Sequence, residues 1–282
     1  MADLIVDAHC HAWRYWPYVP AVPDPTSRGT VEQLLNEMDL NGVAKAAVVC
    51  ARIDHNPDNN DYVAGCVKRF PDRLIQIADV DCSWTETYHA PGAAARLAAS
   101  IDHYDLKGFT HYVAADDDGS WYRSPEGLAF FGVAEARGQV ASIALAAPFH
   151  PTIRFLAERF PTVPFLLHHM AGSRAPEPER AQTFADILAS AKLPNIYVKM
   201  SGFHYVSAVP WGYPYPDCAP IVRGLYEHFG PDRLCWGSDY PVVRFAMTYQ
   251  HAIEAFRTHC DFIPAEHRAR IMGQNLLKLL ER

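Results

Sequence analysis

The 282-residue chain has no Cys-x-x-Cys pair; its seven cysteines stand apart at positions 10, 50, 66, 82, 218, 235 and 260. An odd, scattered set excludes a disulfide framework and fits the reduced thiols of a cytoplasm. No apolar run approaches the ~18 residues a membrane span needs. No Lys/Arg cluster is present, and 25 Lys+Arg against 32 Asp+Glu give a net charge of −7, which removes phosphate-backbone binding. The first nine residues lack a basic stretch followed by an apolar one, so a secretory signal is not expected and the expected location is the cytoplasm. No Gly-x-Gly-x-x-Gly turn follows the first apolar run, which counts against an open dinucleotide-binding sheet. Low-complexity tracts and short-period repeats are missing too. What remains, 49% hydrophobic and 20% charged, is an ordinary globular composition. The expected partner is a small-molecule substrate, with no nucleic acid and no membrane; assembly into a homo-oligomer is left open.

A unit recurs along the chain: a short apolar run, a polar loop, a helical stretch. The runs are residues 4–8, 44–51, 74–80, 106–109, 140–147, 163–167, 196–200 and 234–236. They are short, continuous and poorly alternating, as parallel strands covered on both faces are. Helical stretches fall at 59–70, 93–103, 152–160, 178–191, 219–229, 249–259 and 265–280. Thr30-Val31-Glu32-Gln33 reads as a capping box with Gly42 as the stop, and Ser124-Pro125 opens another helix that Gly138 closes. Eight such units over this length predict a single (β/α)8 barrel spanning residues 1–282, an α/β fold with an extra C-terminal helix. In such a barrel the chemistry sits at the C-terminal ends of the strands, so the residues ending each run are the candidates.

The first run ends Asp7-Ala8-His9-Cys10-His11. Positions i and i+2 of a strand share a face roughly 6–7 Å apart, so His9 and His11 both face the mouth and can share one divalent ion. Asp7 is expected on that face one step deeper, and Cys10 on the opposite one. The sixth run ends His168-His169, of which alternation lets only one look inward. The last run is followed by Gly237-Ser238-Asp239, a carboxylate placed to ligate a metal or take a proton from water. Lys199, ending the seventh run, is a candidate for an anionic group, and Lys107 is expected deep in the fourth. Arg52, Arg174 and Arg244 follow strands 2, 6 and 8 as candidate carboxylate clamps. Tyr112 reaches the mouth from strand 4. Trp13, in the aromatic loop 13–18, is a candidate wall for a flat ligand.

Together these residues resemble the amidohydrolase superfamily, specifically the amidohydrolase-2 group of TIM-barrel hydrolases. The matching pieces are Asp7-Ala8-His9-Cys10-His11, Lys107-Gly108-Phe109, His169-Met170-Ala171-Gly172, Lys199-Met200-Ser201-Gly202 and Trp236-Gly237-Ser238-Asp239-Tyr240-Pro241, with Ile271 to Leu280 as the closing helix. The resemblance implies that His9, His11 and Asp239 are metal ligands, that Asp239 and His169 are catalytic, and that the substrate is a carboxylated small molecule whose lactone or ester-like bond is opened by activated water. It implies a divalent metal, zinc first, with a metal-independent mechanism as the alternative. One feature departs from the metal-using pattern: strand 5 offers no ligand before His150. A nonoxidative decarboxylase on the same frame, and a barrel that binds without turnover, are the rival readings.

Overall fold

The computed structural model describes residues 4–174 and 181–281. Eight parallel strands follow one another in chain order: β1 (Ile5–Cys10), β2 (Val43–Val49), β3 (Leu74–Asp79), β4 (Gly108–Tyr112), β5 (Val140–Ala144), β6 (Phe165–Leu167), β7 (Ile196–Met200) and β8 (Leu234–Trp236). Helices lie between them: α1 (Val31–Asn41), α2 (Asn59–Arg69), α3 (Ala93–Tyr104), α4 (Pro125–Ala136), α5 (His150–Arg159), α6 (Ala181–Ala189), the short α7 (Phe203–Val206) and α8 (Ala219–Phe229). After β8 come α9 (Tyr249–Arg257), α10 (Ala265–Ala269) and α11 (Asn275–Leu280). This is a TIM barrel. Each of the eight apolar runs overlaps one strand, and the first three residues of the helix expected at 178–191 lie outside the described residues.

The caps show how local chemistry sets the helix ends. Ser124 Oγ accepts from Gly127 N at the start of α4, and Gly42 closes α1 in the left-handed region. Thr30, expected to cap α1, spends its hydroxyl on Ser27 O instead.

Two apolar layers form. Val6, Ala8, Ala47, Val49, Ile77, Val140, Leu166 and Cys235 fill the barrel interior, while a larger cluster lies between strands and helices. Leu276, Leu279 and Leu280 of α11 join the interior cluster from below. There Gly273 brings the helix so close to β1 that a Cβ would stand 2.3 Å from Leu4 O. The C-terminal segment therefore stops the bottom of the barrel and leaves the mouth opposite as the open end.

The ring closes between β8 and β1 at that mouth, not along the strands. Asp239 N donates to His9 O at 2.7 Å, and His11 N donates to Tyr240 O at 2.6 Å. Gly237 permits this approach, because a Cβ there would lie 2.7 Å from His9 Cβ. The last seam of the barrel is thus stitched by the backbone of the candidate site residues themselves.

Candidate active site

On β1, Asp7 pairs with Ala46 and Cys10 with Val48, three steps on β1 against two on β2. The extra residue is a bulge, and it re-aims the side chains around it. Asp7, expected on the face of His9, lies on the helix side between the inward Val6 and Ala8, and the bulge after it is what turns His9 to the mouth: the Asp7 carboxylate accepts from Ser238 N, Ser238 Oγ and Tyr249 OH. Cys10 faces out as expected. His9 and His11 both face Asp239, each Nε2 standing 3.4 Å from the same oxygen, Oδ1. His11 Nδ1 donates to Val49 O, 2.7 Å away, which turns Nε2 toward the carboxylate. Trp13 stacks on the His11 ring at 4.9 Å and is anchored by Nε1 to Ala51 O.

Both histidines of strand 6 join the cluster, which corrects the expectation that only one looks inward. β6 ends at Leu167, and His169, Met170 and Ala171 then adopt φ values of 44°, 51° and 58°. Left-handed backbone at non-glycine residues costs roughly 1–2 kcal/mol each, and it swings His169 back over the mouth. The His168 and His169 rings lie 4.5 and 4.7 Å from that of His9. Gly202, at φ 71°, makes room: a Cβ there would meet His169 Nδ1 at 2.7 Å. Ser201 Oγ lies 3.1 Å from His169 Nδ1.

Lys199 is wholly buried inside the barrel, beneath the mouth instead of at it. Its Nζ is 3.1 Å from His9 Nδ1 and 2.8 Å from Ser142 Oγ, and Ser142 Oγ is 2.7 Å from His168 Nε2. Ser142 is the inward residue of β5 where sequence reasoning found no ligand; a lone hydroxyl inside an apolar run was the available signal. His150, the first candidate after strand 5, is a framework residue tied to Ser190 Oγ and Ala171 O.

Burial dominates the electrostatics. It pulls His169 down to about 4 and Lys199 down to about 7, and it holds His9 and His168 well below the usual imidazole range, with Lys199 adding to the effect. Burial alone would raise Asp239, but His169 and the close His11 and His9 rings outweigh it and keep the carboxyl well below the usual range. At neutral pH an ionised Asp239 carboxylate shares the site with the neutral rings of His9, His168 and His169.

Aromatic side chains wall the mouth. Tyr112 packs edge-on to His168 and against Trp84, and Tyr205 packs edge-on to His169. Tyr18 sits edge-on to Trp13. His204, which the sequence did not single out, is 6% exposed, packs against Tyr205, and has no protein partner at either ring nitrogen. The arginines lie elsewhere. Arg52 is exposed and donates to Pro57 O, Arg244 is exposed in a surface hollow with Glu37 and His251, and Arg174 donates to Ser173 O. Lys107 precedes β4 and is exposed, not deep in the barrel.

The donor set fits a divalent ion. One ligating atom each from His9, His11 and Asp239 lies within 4.8 Å of the others, and all three side chains are buried. His9 Nε2 and Asp239 Oδ2 have no hydrogen-bond partner among the described residues. With Nδ1 spent on Val49 O, Nε2 is the His11 atom turned to Asp239 and the one that would ligate.

A family model described as Amidohydrolase matches residues 6–282. An L-fucono-1,5-lactonase of Burkholderia ambifaria is 27% identical over 284 residues, covering 96% of this chain and 93% of that protein. An amidohydrolase from Burkholderia multivorans with bound zinc has a TM-score of 0.79 at 19% identity, covering 99% of each chain. A structure described as a probable 2-pyrone-4,6-dicarboxylic acid hydrolase, from Acinetobacter baumannii with citric acid bound, has a TM-score of 0.76 at 17% identity over 100% of each chain. At such identities the two structures speak for the fold.

Proposed function

The chain belongs to the amidohydrolase family, and from that premise we propose that it is a hydrolase that opens a lactone of a small, carboxylated or otherwise polar, molecule by attack of activated water. One observation carries the reading: two imidazole nitrogens, from His9 and His11, converge at 3.4 Å on a single buried oxygen of Asp239, whose other oxygen is unpaired. The lactonase relative supports the reaction type.

Asp239 acts as the base. It takes a proton from water as the water oxygen bonds to the lactone carbonyl carbon, and the carbonyl π pair moves onto its oxygen. When that pair returns, the ring C–O bond breaks, and the leaving oxygen receives a proton passed through Asp239 or His169. His169, neutral at pH 7 and fixed through Nδ1 by Ser201, is placed to hold the carbonyl or relay that proton. Trp13, Tyr112 and Tyr205 wall the ring and exclude water. His9, His11 and Asp239 would hold a divalent metal, zinc being the first candidate, which when bound polarises a carbonyl and lowers the pKa of water.

The test is a panel of sugar 1,5-lactones and carboxylated pyrones, followed by acid release with a pH indicator and by headspace carbon dioxide. Acid release without carbon dioxide from at least one lactone is expected. Carbon dioxide from aromatic acids, with every lactone left intact, would replace this reading by a decarboxylase.

A further inference from the structure

Beneath the site runs a line of hydrogen bonds that the proposed chemistry does not call on. It begins at Lys199 of β7, whose Nζ meets His9 Nδ1 of β1 at 3.1 Å and Ser142 Oγ of β5 at 2.8 Å, and it continues from Ser142 Oγ to Nε2 of His168, the residue after β6, at 2.7 Å. Three strands and the end of a fourth are tied together by groups that water does not reach. The direction of each bond follows from counting hydrogens. An ammonium at Lys199 has hydrogens for both neighbours and no lone pair with which to accept from either. The Ser142 oxygen accepts one of them, and its own single hydrogen then has His168 Nε2 as the side-chain partner at hand. His9 Nδ1 accepts the other. A neutral imidazole that accepts at one nitrogen carries its hydrogen on the other. Those other nitrogens are His9 Nε2, which stands 3.4 Å from Asp239 Oδ1 at the mouth, and His168 Nδ1; both are buried, and neither has a hydrogen-bond partner among the described residues. His11 is wired in the opposite sense, because the Val49 carbonyl takes its Nδ1 hydrogen.

We propose that Lys199, acting directly on His9 and through Ser142 on His168, is a positioning residue that sets the tautomers of the two rings, so that the metal-free protein offers two N–H donors to the oxyanion formed at the carbonyl. Buried donors fixed before the reaction stabilise developing charge without reorganisation. The same wiring opposes a metal. An ion on His9 Nε2 moves that ring's hydrogen to Nδ1, where it meets the Lys199 hydrogen in place of the acceptor that a metal-bound imidazole usually has. His11 already has such an acceptor. One protein thus carries one histidine wired for a metal and one wired as a donor.

The first readout needs no variant. Nitrogen-15 spectra of histidine-labelled, chelator-treated protein should show hydrogen on Nε2 of His9, on Nδ1 of His168 and on Nδ1 of His11. Hydrogen on Nδ1 of His9 or on Nε2 of His168 overturns the proposal. Lys199→Met then removes the donor while keeping the bulk. Its zinc affinity, measured by competition with a chelating dye, should rise about tenfold. Its metal-free kcat should fall about 100-fold with KM little changed. Unchanged zinc affinity and tautomers in a folded Lys199→Met protein also overturn it. Ser142→Ala cuts one branch, and should alter the His168 pattern while leaving that of His9. The tautomer and zinc readouts contain no substrate, so they stand or fall apart from the lactone reading.

Discussion

Two groups of buried histidines share this barrel and differ in one respect. His111 on β4 and His150 at the start of α5 spend both ring nitrogens on the fold. His111 bonds Val80 O at 3.1 Å and Tyr122 OH at 2.8 Å, and His150 bonds Ser190 Oγ at 2.8 Å and Ala171 O at 2.9 Å. His9 and His168 are as deeply buried, yet each keeps a nitrogen with no protein partner, and so does Asp239 keep an oxygen. An unpaired buried polar atom costs about 1–3 kcal/mol, so a fold that gathers three in one place holds them for something other than itself. Residue type and burial do not separate the two groups; the spending of the polar atoms does.

The comparison breaks most sharply at Asp239. Asp239→Asn should lower kcat on a lactone by about 1,000-fold or more while calorimetric binding of the intact lactone survives. A variant retaining a tenth of the activity would remove Asp239 from the role of base.

The framework group should announce itself in acid. Burial holds His111 and His150 at about 4, against 6.5 in an unfolded chain. Between those values the unfolded chain binds protons that the native one refuses, so stability is full above about pH 6.5 and falls as the pH drops toward 4. Each ring forfeits about 3 kcal/mol over that window. Thermal melts from pH 7.5 to 4.5 should show a steep decline; a melting temperature that is flat down to pH 5 would mean that these rings are charged in the native state.

Much of this was legible in the sequence, for physical reasons. Parallel strands covered on both faces must read as apolar runs, and all eight did. Strand ends in such a barrel must point at the mouth, so His9, His11 and Asp239 stood out from their places in the runs, whereas His169 was singled out over His168 only by the resemblance. What escaped was set by contacts distant in the chain. The bulge that puts His9 at the mouth while Asp7 faces the helices depends on the register of β1 against β2. The left-handed turn that brings in His169 depends on room left by Gly202, 33 positions later. Lys199 looked like an anion holder because nothing local says that Ser142 and His9 receive its amine. The directions of the arginines are set by loop carbonyls and neighbouring side chains that no periodicity encodes. Arg52→Ala accordingly carries the smallest expected effect, a KM within about twofold of the parent, since the parent guanidinium is exposed and bonded to Pro57 O. A tenfold rise would show that it swings into the mouth on binding.

The most direct measurement pairs a ring of the framework group with His169, whose ring lies 4.7 Å from that of His9 among the unspent atoms. His169→Phe and His150→Phe are compared for kcat on the same lactone and for melting temperature. The first should lose about 100-fold in kcat and melt within about 2 °C of the parent. The second should keep its kcat and melt about 5 °C lower or more, because it strands Ser190 Oγ and the Ala171 carbonyl. The reverse pattern, or the same loss in both, would contradict the claim that unspent polar atoms mark where this protein works.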